Sequence, residues 1–154
     1  VDNFQEAITG EAVVGIDVYG PMQIQPTQPG LFWYGIHGIE MVVTALGVGC
    51  RRVQSAANDD ADLVVMQWAD GRMATYRGAR KGHTQFGGVV HGEKGARLIS
   101  YTNTKRPPTV CMLEAIIKSL SAGKSDVPVE QTLEVVKIIY AANESRETGQ
   151  PVNL

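Results

Sequence analysis

The 154-residue sequence predicts an α+β domain: one mainly antiparallel, mixed β-sheet with helices packed on one face. Three observations carry this expectation. Short runs rich in Val and Ile alternate with Gly-containing turns through the middle of the chain. The C-terminal third changes to helical periodicity. No strand runs into a glycine-rich turn and helix with GxGxxG spacing, so a nucleotide-binding βαβ unit is not expected within residues 1–154.

The elements follow in order. Glu11 to Tyr19 is a strand bounded by Gly10 and by Gly20-Pro21. Pro21, Pro26, Pro29 and Gly30 make the next stretch a long loop. Leu31 to Leu46 has helical length and ends at Gly47, a natural C-cap residue. Gly35 and Gly38 inside it each cost about 1 kcal/mol relative to Ala, which suggests close packing on that face. Strands are expected at Arg52–Asn58, Asp62–Trp68 and Arg72–Arg77, the last two joined by an Asp70-Gly71 hairpin. Thr84–His91 and Ala96–Thr102 flank a second turn at Gly92-Glu93-Lys94-Gly95. Thr109–Leu120 carries Val110, Leu113, Ile116, Ile117 and Leu120 on one stripe. Val129–Thr148 forms a last helix, with Leu133, Val136, Ile139 or Tyr140, and Asn143 at helical spacing. All three helices are expected to back the sheet. Its other face then needs a cover, most simply a second copy of the chain.

Composition limits the function classes. A net charge of -2 offers no basic surplus for nucleic acid or an anionic membrane. No apolar run reaches the ~18–20 residues of a spanning helix. The two cysteines, Cys50 and Cys111, fit idle thiols in a reducing, cytoplasmic compartment better than a disulfide framework. Neither has a flanking signature of a nucleophile, and no CxxC or HxxxH pair supports a metal site. The chain opens on Val1 as if within an element already begun, so we expect a piece of a longer protein.

Concentrated polar chemistry occurs once, on the segment Leu31–Leu46. At 3.6 residues per turn, Trp33, Tyr34, His37, Glu40 and Met41 share one side of a helix. An imidazole with a carboxylate at i+3 and aromatics a turn earlier can act as a general acid or base. The structural alternative is a buried helix histidine bonded to Glu40 or to backbone. Arg77, Arg80, Lys81 and His83 crowd one loop and can reach an anionic or polyhydroxylated ligand or simply stand in solvent. Trp33 and Trp68 can stack on a sugar ring or pack internally.

The run Gly30-Leu31-Phe32-Trp33-Tyr34-Gly35-Ile36-His37-Gly38-Ile39-Glu40-Met41 resembles the signature helix in the C-terminal domain of the Gfo/Idh/MocA family of NAD(P)-dependent oxidoreductases. The resemblance continues through Asp70-Gly71-Arg72, through Val90-His91-Gly92-Glu93-Lys94-Gly95, and through the last helix from Glu130 to Ser145. It spans Gly10 to Val152. It implies that residues 1–154 form a single substrate-binding and oligomerisation domain of a sugar or polyol dehydrogenase. An N-terminal Rossmann domain outside this chain would bind NAD or NADP and carry a catalytic lysine. The chain alone would then bind no cofactor and be inactive. The resemblance makes His37 the catalytic histidine and Glu40 an acidic position common after it; with Glu40, the residues themselves offer Trp33, Tyr34, Arg77 and His83 as substrate-binding candidates. Trp33 stands where family members often carry an aspartate. A non-catalytic assembly module derived from the family is the alternative.

Overall fold

The computed structural model describes residues 2–82, 85–101 and 106–154. Chain order is α1 (Asp2–Ile8), β1 (Val13–Pro21), a 3-10 turn (Gly30–Phe32), α2 (Gly35–Leu46), β2 (Cys50–Ala57), β3 (Ala61–Trp68), β4 (Met73–Ala79), β5 (Gly87–Gly92), β6 (Gly95–Ser100), α3 (Pro108–Ala122), α4 (Val129–Thr148) and β7 (Val152–Asn153). The strands form one seven-stranded sheet in the order β6-β5-β1-β4-β3-β2-β7. The fold is α+β, as expected.

The topology follows from one helical crossover and a series of hairpins. After β1, α2 carries the chain over to β2, and two successive hairpins bring β3 and then β4 back beside β1. β1 and β4 are therefore parallel, while every other described pairing is antiparallel. The Asp70-Gly71 turn closes the β3–β4 hairpin. Gly71 sits at φ +90, a backbone region that L side chains rarely adopt. The Trp68 N–H donates to the Arg72 carbonyl at 2.8 Å across that turn. The terminal strand β7, added to the edge at β2, is too short to leave a periodic signal in sequence.

The core lies between the sheet and α2 and α4. Ile16, Val18, Val53, Val64, Met66 and Tyr76 point into it from the strands and are at most 2% exposed. Ile39, Val42 and Val43 answer from α2, and Ile138 and Ile139 from α4. Gly38 explains itself here: a Cβ would come 2.2 Å from the Tyr76 ring, so the ring lies directly on the helix backbone. At Gly35 the near neighbour is Leu31 of the preceding turn rather than a second element.

Four expectations need correction. First, the helix expected over Leu31–Leu46 is broken, with Trp33 and Tyr34 in a turn between the 3-10 turn and α2. Asn143 of α4 holds that break. Its Oδ1 accepts from the Leu31 N–H at 3.1 Å, and its Nδ2 donates to the Pro29 carbonyl at 3.1 Å. Second, α3 does not back the sheet: it has no buried residue, and Val110, Leu113, Ile116, Ile117 and Leu120 are all exposed. Amphipathic periodicity specifies a helix but not what its stripe meets. Third, of the stripe expected on α4 only Ile139 is fully buried. Leu133 and Tyr140 are exposed, whereas Glu134, Val135, Ile138, Ile139, Ala142 and Ser145 face inward. Two polar residues hide the inward stripe in the sequence, and both are paired. Glu134 Oε1 accepts from the Gly49 and Cys50 N–H groups at 2.8 and 2.6 Å. Ser145 Oγ accepts from the Ser55 N–H at 2.9 Å. Fourth, strand limits move by one to three residues, most at β5, which starts at Gly87; Thr84 and Thr102 of the expected strands lie outside the described residues.

Opposite α2 and α4, the sheet carries a second, uncovered face. One row across it runs Leu98, Val89, Asp17, Thr75, Val65, Gln54, as the strand registers dictate. Leu98 is 84% exposed, and Leu63, Val65 and Met73 are exposed beside polar residues.

Candidate functional site

His37 lies on the first turns of α2 and faces a groove of about 650 Å³. One wall is α2, contributing Tyr34 just before the helix and then His37, Glu40, Met41 and Thr44. Pro21 at the end of β1, the segment Gln85-Phe86-Gly87 entering β5, and Ile99, Ser100 and Tyr101 at the end of β6 form the remainder with Phe4 of α1. Gly20, the penultimate residue of β1, gives one side of the groove its shape: a Cβ there would come 2.3 Å from the Phe86 ring. Phe86 is thereby seated against the strand, and its carbonyl accepts from the Tyr101 N–H at 3.0 Å.

The imidazole is held from three sides. Its Nδ1 lies 3.1 Å from Glu40 Oε2, one turn along the helix. Tyr34 approaches edge-on with ring centroids 5.9 Å apart, and Phe86 does the same at 6.0 Å. Among the described residues Nε2 has no hydrogen-bond partner, so the free nitrogen is the one left to a ligand. The hydrogen bond to Glu40 raises the His37 pKa above its ordinary 6.5, against the smaller downward pull of desolvation. A neutral ring that donates Nδ1–H to Glu40 presents a lone pair at Nε2, the arrangement of a general base.

The sequence candidates separate in space. Tyr34, His37 and Glu40 converge on the groove. Trp33 is 46% exposed, stacks edge-on with Tyr34 at 6.2 Å and does not line the groove. Arg77 points to the uncovered face, because its neighbours Tyr76 and Gly78 face α2 and its register partners are Tyr19 and Leu63. His83 lies outside the described residues. Arg80, from the same loop, is structural. It joins Arg146 around the fully buried Asp62 carboxylate, at 2.7 and 2.8 Å, tying β3 to α4.

Two of the sequence motifs also resolve into structural work. Arg72 donates to the Leu46 carbonyl at 3.0 Å and Trp68 Nε1 to the Gly47 carbonyl at 3.0 Å, so the β3–β4 hairpin caps the C-terminus of α2. His91 Nε2 lies 2.8 Å from Asp17 Oδ2, whose other oxygen accepts from Thr75 at 2.5 Å, on the uncovered face. Desolvation pushes the Asp17 carboxyl up, but these two hydrogen bonds together outweigh it and leave its pKa below the ordinary value. Burial pushes the Cys50 thiol up to about 11, which leaves it protonated and unreactive at neutral pH. Sequence reasoning missed Phe4, Phe86 and Tyr101. Phe86 sits before a Gly-Gly pair that looks like ordinary strand entry, and its partner Gly20 is 66 positions away.

No helix among the described residues is long and apolar enough to cross a membrane. Neither a family model nor a curated protein matches the sequence. Solved structures do. Scyllo-inositol dehydrogenase from Lactobacillus casei, solved with NAD(H) and scyllo-inositol bound, superposes with a TM-score of 0.80 at 15% identity, over 99% of this chain and 62% of that one. GenD2 from gentamicin A biosynthesis, in complex with NAD, gives 0.73 at 18% identity, over 97% of this chain and 57% of that one. A myo-inositol dehydrogenase from Corynebacterium glutamicum ATCC 13032 gives 0.73 at 13% identity, over 97% and 58%. The chain thus spans about three fifths of the length of the structures it matches. These likenesses establish that the chain has the fold of the C-terminal part of Gfo/Idh/MocA-type dehydrogenases.

Proposed function

We propose that this chain is the substrate-side domain of a longer, cytoplasmic NAD(P)-dependent dehydrogenase that oxidises a hydroxyl of a sugar or polyol to a carbonyl. The observation that carries the reading is the His37–Glu40 pair in the groove, with Nε2 unpartnered among the described residues and the ring flanked by Tyr34 and Phe86. The neighbours with NAD or an inositol bound lend the substrate and cofactor classes. None of the described strands leads through a glycine-rich turn into a helix, so these residues do not fit a dinucleotide cradle. The cofactor would be held by an N-terminal domain of the longer protein.

In that reading the substrate hydroxyl donates its hydrogen bond to His37 Nε2. As the carbonyl forms, the hydroxyl proton passes to Nε2, and Glu40 stabilises the resulting imidazolium through Nδ1–H. The nicotinamide, when bound, supplies the hydride acceptor. Tyr34 and Phe86 hold the ring plane, so the lone pair keeps one direction.

The test is His37→Ala in the longer protein. We expect kcat/KM on its own polyol to fall by about 10²–10⁴-fold, the usual worth of a positioned acid–base group. Unchanged turnover would favour the second reading, a non-catalytic assembly module. Trp33 favours that alternative, since it lies outside the groove and no aspartate stands there.

A further inference from the structure

The groove is larger than the group His37 can address. From Gly35 to Thr44 the helical part of its wall rises about 14 Å at ~1.5 Å per residue, more than the width of one sugar ring. Its volume of about 650 Å³ lies among pockets that enclose drug-sized ligands, roughly 300–1,000 Å³.

The two halves of that wall differ in chemistry. Tyr34, His37 and Glu40 supply its polar end. One and two turns beyond His37 stand Met41 and Thr44, and the Thr44 hydroxyl is engaged by the Glu40 carbonyl, to which it donates at 2.7 Å. Phe4 and Ile99 add apolar surface from α1 and β6. A lone polyol held at His37 would leave Met41, Phe4 and Ile99 uncovered, since these apolar side chains offer its hydroxyls no hydrogen-bonding partner.

We propose that the groove takes a glycoside-like substrate: a polyol ring at His37 joined to an apolar or aromatic substituent that lies along Met41 and Thr44. This rests on the reading of His37 as the residue that handles the polyol. It adds the class of substrate, one with a hydrophobic aglycone rather than a free cyclitol or monosaccharide.

Methionine-methyl NMR on the 154-residue chain tests it, with phenyl β-D-glucoside and methyl β-D-glucoside as probes. The phenyl glycoside is expected to bind about tenfold more tightly, as burial of an aromatic ring warrants. It should shift the Met41 methyl by ring current and leave that of Met73, on the uncovered face, in place. Met41→Gln should cut the phenyl advantage to about threefold or less and leave the methyl glycoside unchanged. His37→Ala should weaken both ligands alike. Equal affinities, or a phenyl advantage that moves Met73 instead of Met41, overturn the proposal and leave the polyol reading standing. A Met41 shift of the same size with nicotinamide mononucleotide assigns the apolar stretch to the cofactor and also overturns it. Binding of both glycosides that ignores His37→Ala overturns the polyol reading, and the proposal with it; so does absence of binding at about 10 mM, beyond the weak end of specific affinities.

Discussion

The two ring nitrogens of His37 have different duties: Nδ1 is committed to Glu40, and Nε2 has no hydrogen-bond partner among the described residues. The commitment has a measurable electrostatic sign. Glu40 raises the pKa of His37 above 6.5, so the protonated ring is favoured in the folded chain. The pair therefore contributes stability that is fully present below pH 6.5 and is lost as pH rises through the folded pKa. Both side chains are about half exposed, which limits that contribution to roughly 0.2–1 kcal/mol. Following the His37 ring by NMR across pH should give a midpoint above 6.5, and Glu40→Gln should bring it back to that value or lower. An unmoved midpoint would mean that Glu40 neither tunes nor orients the ring. In the dehydrogenase proposed above, the same variant should move the pH profile in the same direction, which a purely structural residue would not do.

At the scale of the element, α2 positions the site because it lies unusually close to the sheet. Gly38 permits this by letting the Tyr76 ring touch helix backbone, while the Tyr76 hydroxyl donates to the Pro21 carbonyl at 3.1 Å at the groove's edge. Gly38→Ala is expected to destabilise the chain by about 1–3 kcal/mol through overpacking, despite the ~1 kcal/mol that Ala gains in helix propensity. Denaturant melts check the loss, and Tyr76→Leu in the same chain should recover part of it. A neutral Gly38→Ala would show that α2 can lift from the sheet. This contact was half legible beforehand. Two glycines in an apolar helix announced a close neighbour, but sequence does not say which ring arrives. The same limit explains α4. Its buried stripe includes Glu134 and Ser145, whose partners are backbone groups of β2 and the residue before it, and hydrophobic periodicity cannot register such partners. The antiparallel hairpins were readable because Asp-Gly and Gly-Glu-Lys-Gly turns are local chemistry. The break at Trp33-Tyr34 was not, because it depends on Asn143, more than a hundred residues away.

For the molecule as a whole, the asymmetry of the sheet is the feature with consequences. One face is sealed by α2 and α4, while the other exposes Leu63, Val65, Met73 and Leu98 around the Asp17–Thr75–His91 hydrogen-bonded row. The apolar members of this mixed face are favourably buried against a second sheet, and a two-fold arrangement would let the same face serve both copies. The polar row need not oppose this, since its groups already satisfy one another and can be covered at lower cost than free charges. Self-association of the chain through this face is the expected outcome, read by sedimentation over a concentration series. Val65→Lys, at the centre of the face, should weaken association at least about tenfold without unfolding the chain, because the side chain is solvent-facing in the monomer. Ile117→Lys, on the exposed stripe of α3, should leave the dimer intact. The reverse pattern would move the interface to α3. A chain that stays monomeric at high concentration would remove the second copy as the partner of this face.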